Sequence, residues 1–385
     1  MIPFDHWDQD LDAYFVLTHR GIRSGLRNFR IPFSNSLFET LVPQVGQAAL
    51  QSEPLTGLAP EEIPKWLHQL AVGLSVQPDR GIAVRSRISL SPQIDLADMF
   101  SENPGGRELA LNHLPDAPFL LALGGPISAT QSKWITALPG QLVPPQNELD
   151  LRISRVQAAL LAPPPVPKDA NDPGQHNFDD VAARLQSCLI VVVTVEDSQS
   201  ALDQLEPLFK ALVDVASTER GELEGIPVLR VGLMVQERKL ELCIATPGRE
   251  TLVFAAGGNV QLARALAPFH GDANLSGSET VHAAVRLLPE STSWLVALDL
   301  KKVFDELLQG FEAEDKIGQF INQLLRFDEE DTLPVALGVS WQQSDLEVHL
   351  SLPEELLPLA RRVAPLLPFL PFLPLFFPQL GVGGH

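Results

Sequence analysis

The sequence predicts an α+β fold built from about four repeated strand–helix–antiparallel hairpin–helix units that form two similar halves. Three observations predict it. First, "VGLSVQPDRGIAVRSRISLSP" (72–92), "VGLMVQERKLELCIATP" (231–247) and "LGVSWQQSDLEVHLSLP" (337–353) share one layout. Each has a glycine, alternating apolar positions, a glutamine, a short polar turn and a second alternating run that closes on proline. Period-two alternation on both sides of a polar turn is the signature of a β-hairpin. Second, the last two copies align without a gap at an offset of 106 residues, and the same offset carries "CLIVVVTV" (188–195) onto "WLVALDLK" (294–301). Third, "APPPVPKDANDPG" (162–174) stands where the second unit should place its hairpin. Proline lacks the amide proton that a central strand donates, so this run reads as a semi-rigid linker.

In chain order, units begin near residues 10, 114, 187 and 288. The opening strands are announced by "LDAYFVL" (11–17) and "PDAPFLLAL" (115–123). Asp12 and Asp116, like Glu290 before Trp294, read as acidic residues that solvate or cap the turn entering a buried strand. Helical period appears at Val303, Phe304, Leu307, Leu308 and Phe311, and again at Ile317, Phe320, Ile321, Leu324 and Leu325, each set on one face. Ser351-x-x-Glu354 with Pro353 inside reads as a capping box opening a last helix. The predicted organisation is an N-terminal half over 1–161, a linker over 162–177, a C-terminal half over 178–364 and an apolar proline-rich tail over 365–385.

A net charge of −20 argues against a nucleic-acid partner, which needs a basic footprint. The two cysteines, Cys188 and Cys243, lie in apolar β-like runs with no Cys-x-x-Cys spacing and no nearby histidine. They read as buried apolar side chains rather than zinc ligands, and would form a disulfide only if their strands were neighbours. The nine histidines are scattered, with no close pair at metal-ligand spacing. Asp8, Asp10 and Asp12 alternate as in a calcium loop, but the sixth and twelfth positions hold Ala13 and His19 in place of glycine and glutamate. "FDEEDT" (327–332) reads as a solvated acidic loop. No Gly-x-Ser-x-Gly, Gly-x-Gly-x-x-Gly, phosphate loop or His-Glu-x-x-His is present. No catalytic, metal or cofactor-binding residue is assigned, no cofactor is expected, and the balance is against an enzyme.

Two stretches carry binding readings. In "HRGIRSGLRNFR" (19–30), Arg20, Arg23, Arg27 and Arg30 fall along one side of a helix. They form either an anion site or an ion-pair face neutralised by Asp5, Asp8, Asp10 and Asp12. The tail "PLLPFLPFLPLFFPQL" (365–380) is apolar, but prolines at 365, 368, 371, 374 and 378 exclude a membrane-spanning helix. Proline at every third residue suits a polyproline II rod. Leu370, Phe372, Leu373, Phe376 and Phe377 then form an apolar lid, strapped over a sheet face or docked on a membrane interface, a protein partner or a second copy. The N-terminal "MIPFDHWDQDLDAYF" lacks a charged region followed by an apolar one. The expectation is a cytoplasmic protein, or one of the cell envelope if a leader has been removed.

The turns Leu114-Pro115-Asp116 and Leu288-Pro289-Glu290 and the ending Ser351-Leu352-Pro353 give the chain a layout that resembles uncharacterised bacterial α+β repeat proteins, often exported and of unknown function. That resemblance implies a scaffold-like role and carries no functional residue across. The function expected is that of a non-catalytic binding or structural protein of the cell envelope. The alternatives are a carrier of lipid or another apolar ligand, and an enzyme whose site is assembled from distant residues.

Overall fold

Thirteen strands hydrogen-bond in the order β1-β2-β3-β13-β12-β11-β4-β5-β6-β10-β9-β8-β7 in a computed structural model of the chain, every neighbouring pair antiparallel. The structure describes residues 13–18, 67–77, 80–91, 100, 106–142, 149, 151–164, 184–211, 215–235, 238–309, 332–354 and 356. The strands are β1 (Ala13–Thr18), β2 (Leu67–Gln77), β3 (Gly81–Leu90), β4 (Phe119–Pro126), β5 (Ile153–Leu161), β6 (Leu189–Val195), β7 (Val215–Leu223), β8 (Ile226–Val235), β9 (Arg238–Gly248), β10 (Thr251–Ala256), β11 (Trp294–Asp299), β12 (Pro334–Gln342) and β13 (Asp345–Leu352). The helices are α1 (Ala129–Leu142), α2 (Ser198–Ala211), α3 (Gly258–Leu266), α4 (Glu279–Val285) and α5 (Leu300–Gln309).

The three glycine-to-proline segments are the hairpins β2–β3, β8–β9 and β12–β13. Their assembly overturns the α+β reading: the described residues form one large antiparallel sheet of 13 strands rather than strand–helix–hairpin–helix units making two similar halves. The reason is the polarity of strand edges. A short hairpin presents unpaired N–H and C=O groups along both sides, and these are satisfied most directly by another strand. The chain therefore adds β5, β7 and β10, which the repeat did not anticipate, and joins segments through β3–β13, β11–β4 and β5–β6. Equivalent segments also acquire different neighbours. Strand β6 lies between β5 and β10, whereas β11 lies between β4 and β12.

Alternation then sorts side chains onto two faces. On one face Ala122, Ala159, Ile190, Val192, Val228, Ala245, Val253 and Leu295 pack beneath Leu262 and Leu266 of α3 and Val281 and Val285 of α4. On the other face Val193, Val195, Leu229, Ile244 and Leu252 pack against Ala201, Leu202 and Leu205 of α2. The β7 edge carries Glu219, Arg220 and Glu222, and charge on an edge discourages further strand pairing. The proline-rich run from 165 onward, the period over 317–325 and, apart from Leu356, the helix expected beyond Glu354 lie outside the described residues. Among the described residues, no helix is long and apolar enough to cross a membrane.

One glycine shows how closely the layers meet. A Cβ on Gly124 of β4 would lie 1.9 Å from the carbonyl oxygen of Ala110, in the turn laid over the sheet. The obstacle is backbone, so no rotamer change relieves it. Gly124→Ala is expected to destabilise the protein by about 1–3 kcal/mol. Thermal unfolding of the two proteins side by side checks this, and an unchanged Tm would show that the turn yields freely.

Candidate functional site

A pocket among the described residues lies on the α3–α4 face, above Leu295 of β11. It encloses about 400 Å³, within the range of small-molecule sites. Its apolar walls are Leu111, Val281, Val285 and Leu295, and its polar ones include Arg107, Glu108, His282 and Arg286. The turn of 107–111 forms one side and α4 the other.

Local chemistry fixes both sides. Ser278 caps α4, its side chain accepting a hydrogen bond from the Val281 amide at 3.2 Å, which supplies one of the donors a helix start leaves open. At the opposite end Arg107 donates through Nη1 to the carbonyls of Val285 (3.1 Å) and Leu288 (2.8 Å). A cation there meets the electronegative end of the helix. Arg286 donates through Nη2 to the carbonyl of Arg80 at 2.8 Å, tying α4 to the β2–β3 turn. Beneath the 107–111 turn sits buried Gln157 of β5. Its Nε2 donates to Leu109 O (3.1 Å) and Asn112 Oδ1 (2.7 Å), and its Oε1 accepts from the His113 amide at 2.9 Å. Burial, and then the Arg155 guanidinium, pushes the His113 imidazole below its usual range, which favours the neutral ring.

A second polar cluster lies on the same face where β3 meets β13. Arg87 bonds Asp345 and lies 4.0 Å from Glu347. Glu347 also accepts from His349 Nε2 at 3.3 Å. That hydrogen bond holds the Glu347 carboxyl below its ordinary range, with the His349 and Arg87 charges adding to it against the effect of burial. The Glu347–His349 contact resembles part of a catalytic relay, but Ser351 Oγ has no hydrogen-bond partner, so no nucleophile–base pair is formed.

The arginines Arg20, Arg23, Arg27 and Arg30 and the lid residues Leu370, Phe372, Leu373, Phe376 and Phe377 lie outside the described residues, as do Asp8, Asp10 and Asp12. Asp116 is exposed before β4, its amide donating to Ala273 O at 3.3 Å. Cys188 and Cys243 are free and buried, and β10 separates the strands β6 and β9 near which they sit. Burial pushes both thiols up, Cys243 to about 11 with the Glu241 carboxylate adding to the effect. Among the described residues no group of three or more His, Cys, Asp or Glu side chains is placed to hold a metal. Sequence reasoning passed over Arg107, His282 and Arg286, and over Arg85, Arg87, Glu347, His349 and Ser351. The second set did leave a signal: the polar alternation Arg85-x-Arg87 and Asp345-x-Glu347-x-His349-x-Ser351.

Comparison of the chain with protein families, with curated proteins and with solved structures gives no match.

The depressed Glu347 carboxyl has a pH consequence. A group whose folded pKa lies below its unfolded value, about 4.3 for glutamate, contributes stability that is fully present above that value and is lost as pH falls through the folded one. Glu347→Gln is therefore expected to be less stable than the parent at pH 7, with the difference shrinking steadily below about pH 4. Urea unfolding at pH 7, 4 and 3 measures it. A difference that stays constant across that range would mean that the ionised carboxylate contributes nothing.

Proposed function

We propose that the protein is a non-catalytic binding protein, and that the pocket above Leu295 receives a small amphipathic acid. The observation that carries this reading is the contrast between the pocket and the whole chain. A molecule of net charge −20 lines this cavity with Arg107, His282 and Arg286 against Glu108, over a floor of Leu111, Val281, Val285 and Leu295. Apolar walls provide the affinity and a few polar groups set the orientation. A basic side then selects an acidic head over a neutral or cationic one. The polar groups nearby are engaged in structural bonds rather than poised for turnover. Ser276 Oγ donates to Asn274 Oδ1 at 2.6 Å, and Arg107 is engaged by two carbonyls. A cavity of about 400 Å³ favours a single short apolar chain over a two-chain lipid.

Isothermal titration of the full chain with octanoate, octanol and octylamine tests the reading. Octanoate is expected to bind with one-to-one stoichiometry, octanol at least about tenfold more weakly, and octylamine not at all. A tenfold loss corresponds to about 1.4 kcal/mol. His282→Gln and Arg286→Gln together are expected to abolish the preference for the acid. Equal binding of the amine, or turnover of a substrate that disappears with one polar substitution, would overturn the proposal.

A further inference from the structure

Three polar atoms with no hydrogen-bond partner belong to register neighbours on one face of the β3–β13 seam: Arg85 Nε, His349 Nδ1 and Ser351 Oγ. Buried polar groups are nearly always satisfied, by protein, by water or by a ligand, because losing hydration without replacing it is costly. Here the strand register groups them. Arg85 faces His349 directly, and Ser351 faces Ala83, one pair further along the same face. His349 is 4% exposed and Ser351 1% exposed.

The residues around the group are small on the β2–β3 side: Ala83 takes the fourth corner with a methyl group and Gly73 lies beside Arg85. On the β12 side Ala336 lies beside Ser351, and over Gly338, beside His349, the room is taken by Thr292 and Leu288. Charge points the same way. Arg87 is bonded to Asp345 and near Glu347, and Glu347 accepts a hydrogen bond from His349 Nε2. Both carboxylates of the seam are thus engaged, and among the described residues none pairs with Arg85.

We propose that Arg85, His349 and Ser351 form a buried site for a small oxyanion, either a free phosphate or sulfate or the acidic head of a larger ligand. Over Ala83 its oxygens accept from Arg85 Nε–H, Ser351 Oγ–H and His349 Nδ1–H. The third bond requires a doubly protonated ring. Sulfate, phosphate and carboxylate all offer several acceptor oxygens, whereas chloride offers none of that geometry.

The test titrates the full chain with sodium sulfate, with sodium chloride adjusted to hold ionic strength constant, by calorimetry and by thermal unfolding. Saturable one-to-one binding with a rise in Tm is expected. Ser351→Ala and Arg85→Gln should each weaken it at least tenfold, while His282→Gln leaves it intact and Arg85→Gln leaves octanoate binding in the other pocket intact. Should Arg85→Gln fail to fold, Ser351→Ala, which removes one oxygen and no bulk, still decides. In protein labelled with 15N-histidine, sulfate should move the His349 Nδ1 signal to the imidazolium position. Octyl sulfate binding tenfold tighter than sulfate would identify the head of a larger ligand, and equal or weaker binding a free anion. Absence of saturable binding, binding indifferent to both substitutions, or an unmoved His349 signal would overturn the proposal.

Discussion

Residues Ile82–Ser89 of β3 lie against Asp345–Leu352 of β13, and neither hairpin can give up that contact without exposing a row of backbone amides and carbonyls. The register is specified as strongly as the pairing. With side chains alternating between faces, a slip of one residue would carry Arg85, Arg87, Glu347 and His349 to the side now occupied by Val84, Ile88, Leu346 and Val348. The ion pairs of Arg87 with Asp345 and Glu347 thus help to select the register at least as much as they stabilise it. Partly exposed pairs of this kind add little net energy, but misplaced charges buried among aliphatic side chains would cost far more.

Hairpins were legible in the sequence because alternation is local. "DLEVHLSLP" declares a strand whatever lies beside it, and the two-residue connection between Gln342 and Asp345 follows from the polar "QS" between them. The choice of partner is not local. Nothing in "GIAVRSRISL" alone shows that Arg87 will meet Asp345, a residue 258 positions away. For that reason the alternation alone gives no sign that His349 and Ser351 are buried. The same limit explains the fold class. Segments 188–195 and 294–301 do resemble one another, but the resemblance records strand propensity and does not determine which edges will pair. The sequence also placed no element at "LSGSE", where Ser278 caps α4 and so shapes one wall of the pocket.

The transverse row at the level of His349 links the two candidate sites. It reads Gly73, Arg85, His349, Gly338, Leu295, Gly124 and Gln157 across seven strands, from β2 to β5. Three glycines in seven positions lower the sheet surface so that other groups can approach the backbone. At Gly124 the approaching group is the Ala110 carbonyl, and at Gly338 it is Thr292 with Leu288. The row therefore holds down the 107–111 turn, which borders the pocket, and the 288–292 turn that follows α4. Gln157 closes one end by hydrogen bonds to Leu109 and His113.

This arrangement bears on how ligands at the two sites would sense one another. Helix α4 is fastened at both sides of the row, to Arg107 through its terminal carbonyls and to the β2–β3 turn through Arg286 and the Arg80 carbonyl. That turn opens β3, which carries Arg85. A ligand that drew the Arg286 guanidinium away from Arg80 would loosen the start of β3, and an anion held by Arg85 would oppose the movement. Such coupling needs no rearrangement of the sheet, because the bonds that join the sites are single hydrogen bonds at its margin, whereas the row itself is fixed by paired backbone on seven strands. The sign follows from linkage: a pocket ligand that breaks the Arg286–Arg80 bond and an anion that holds the start of β3 in place each weaken the other's binding, by the same factor in both directions.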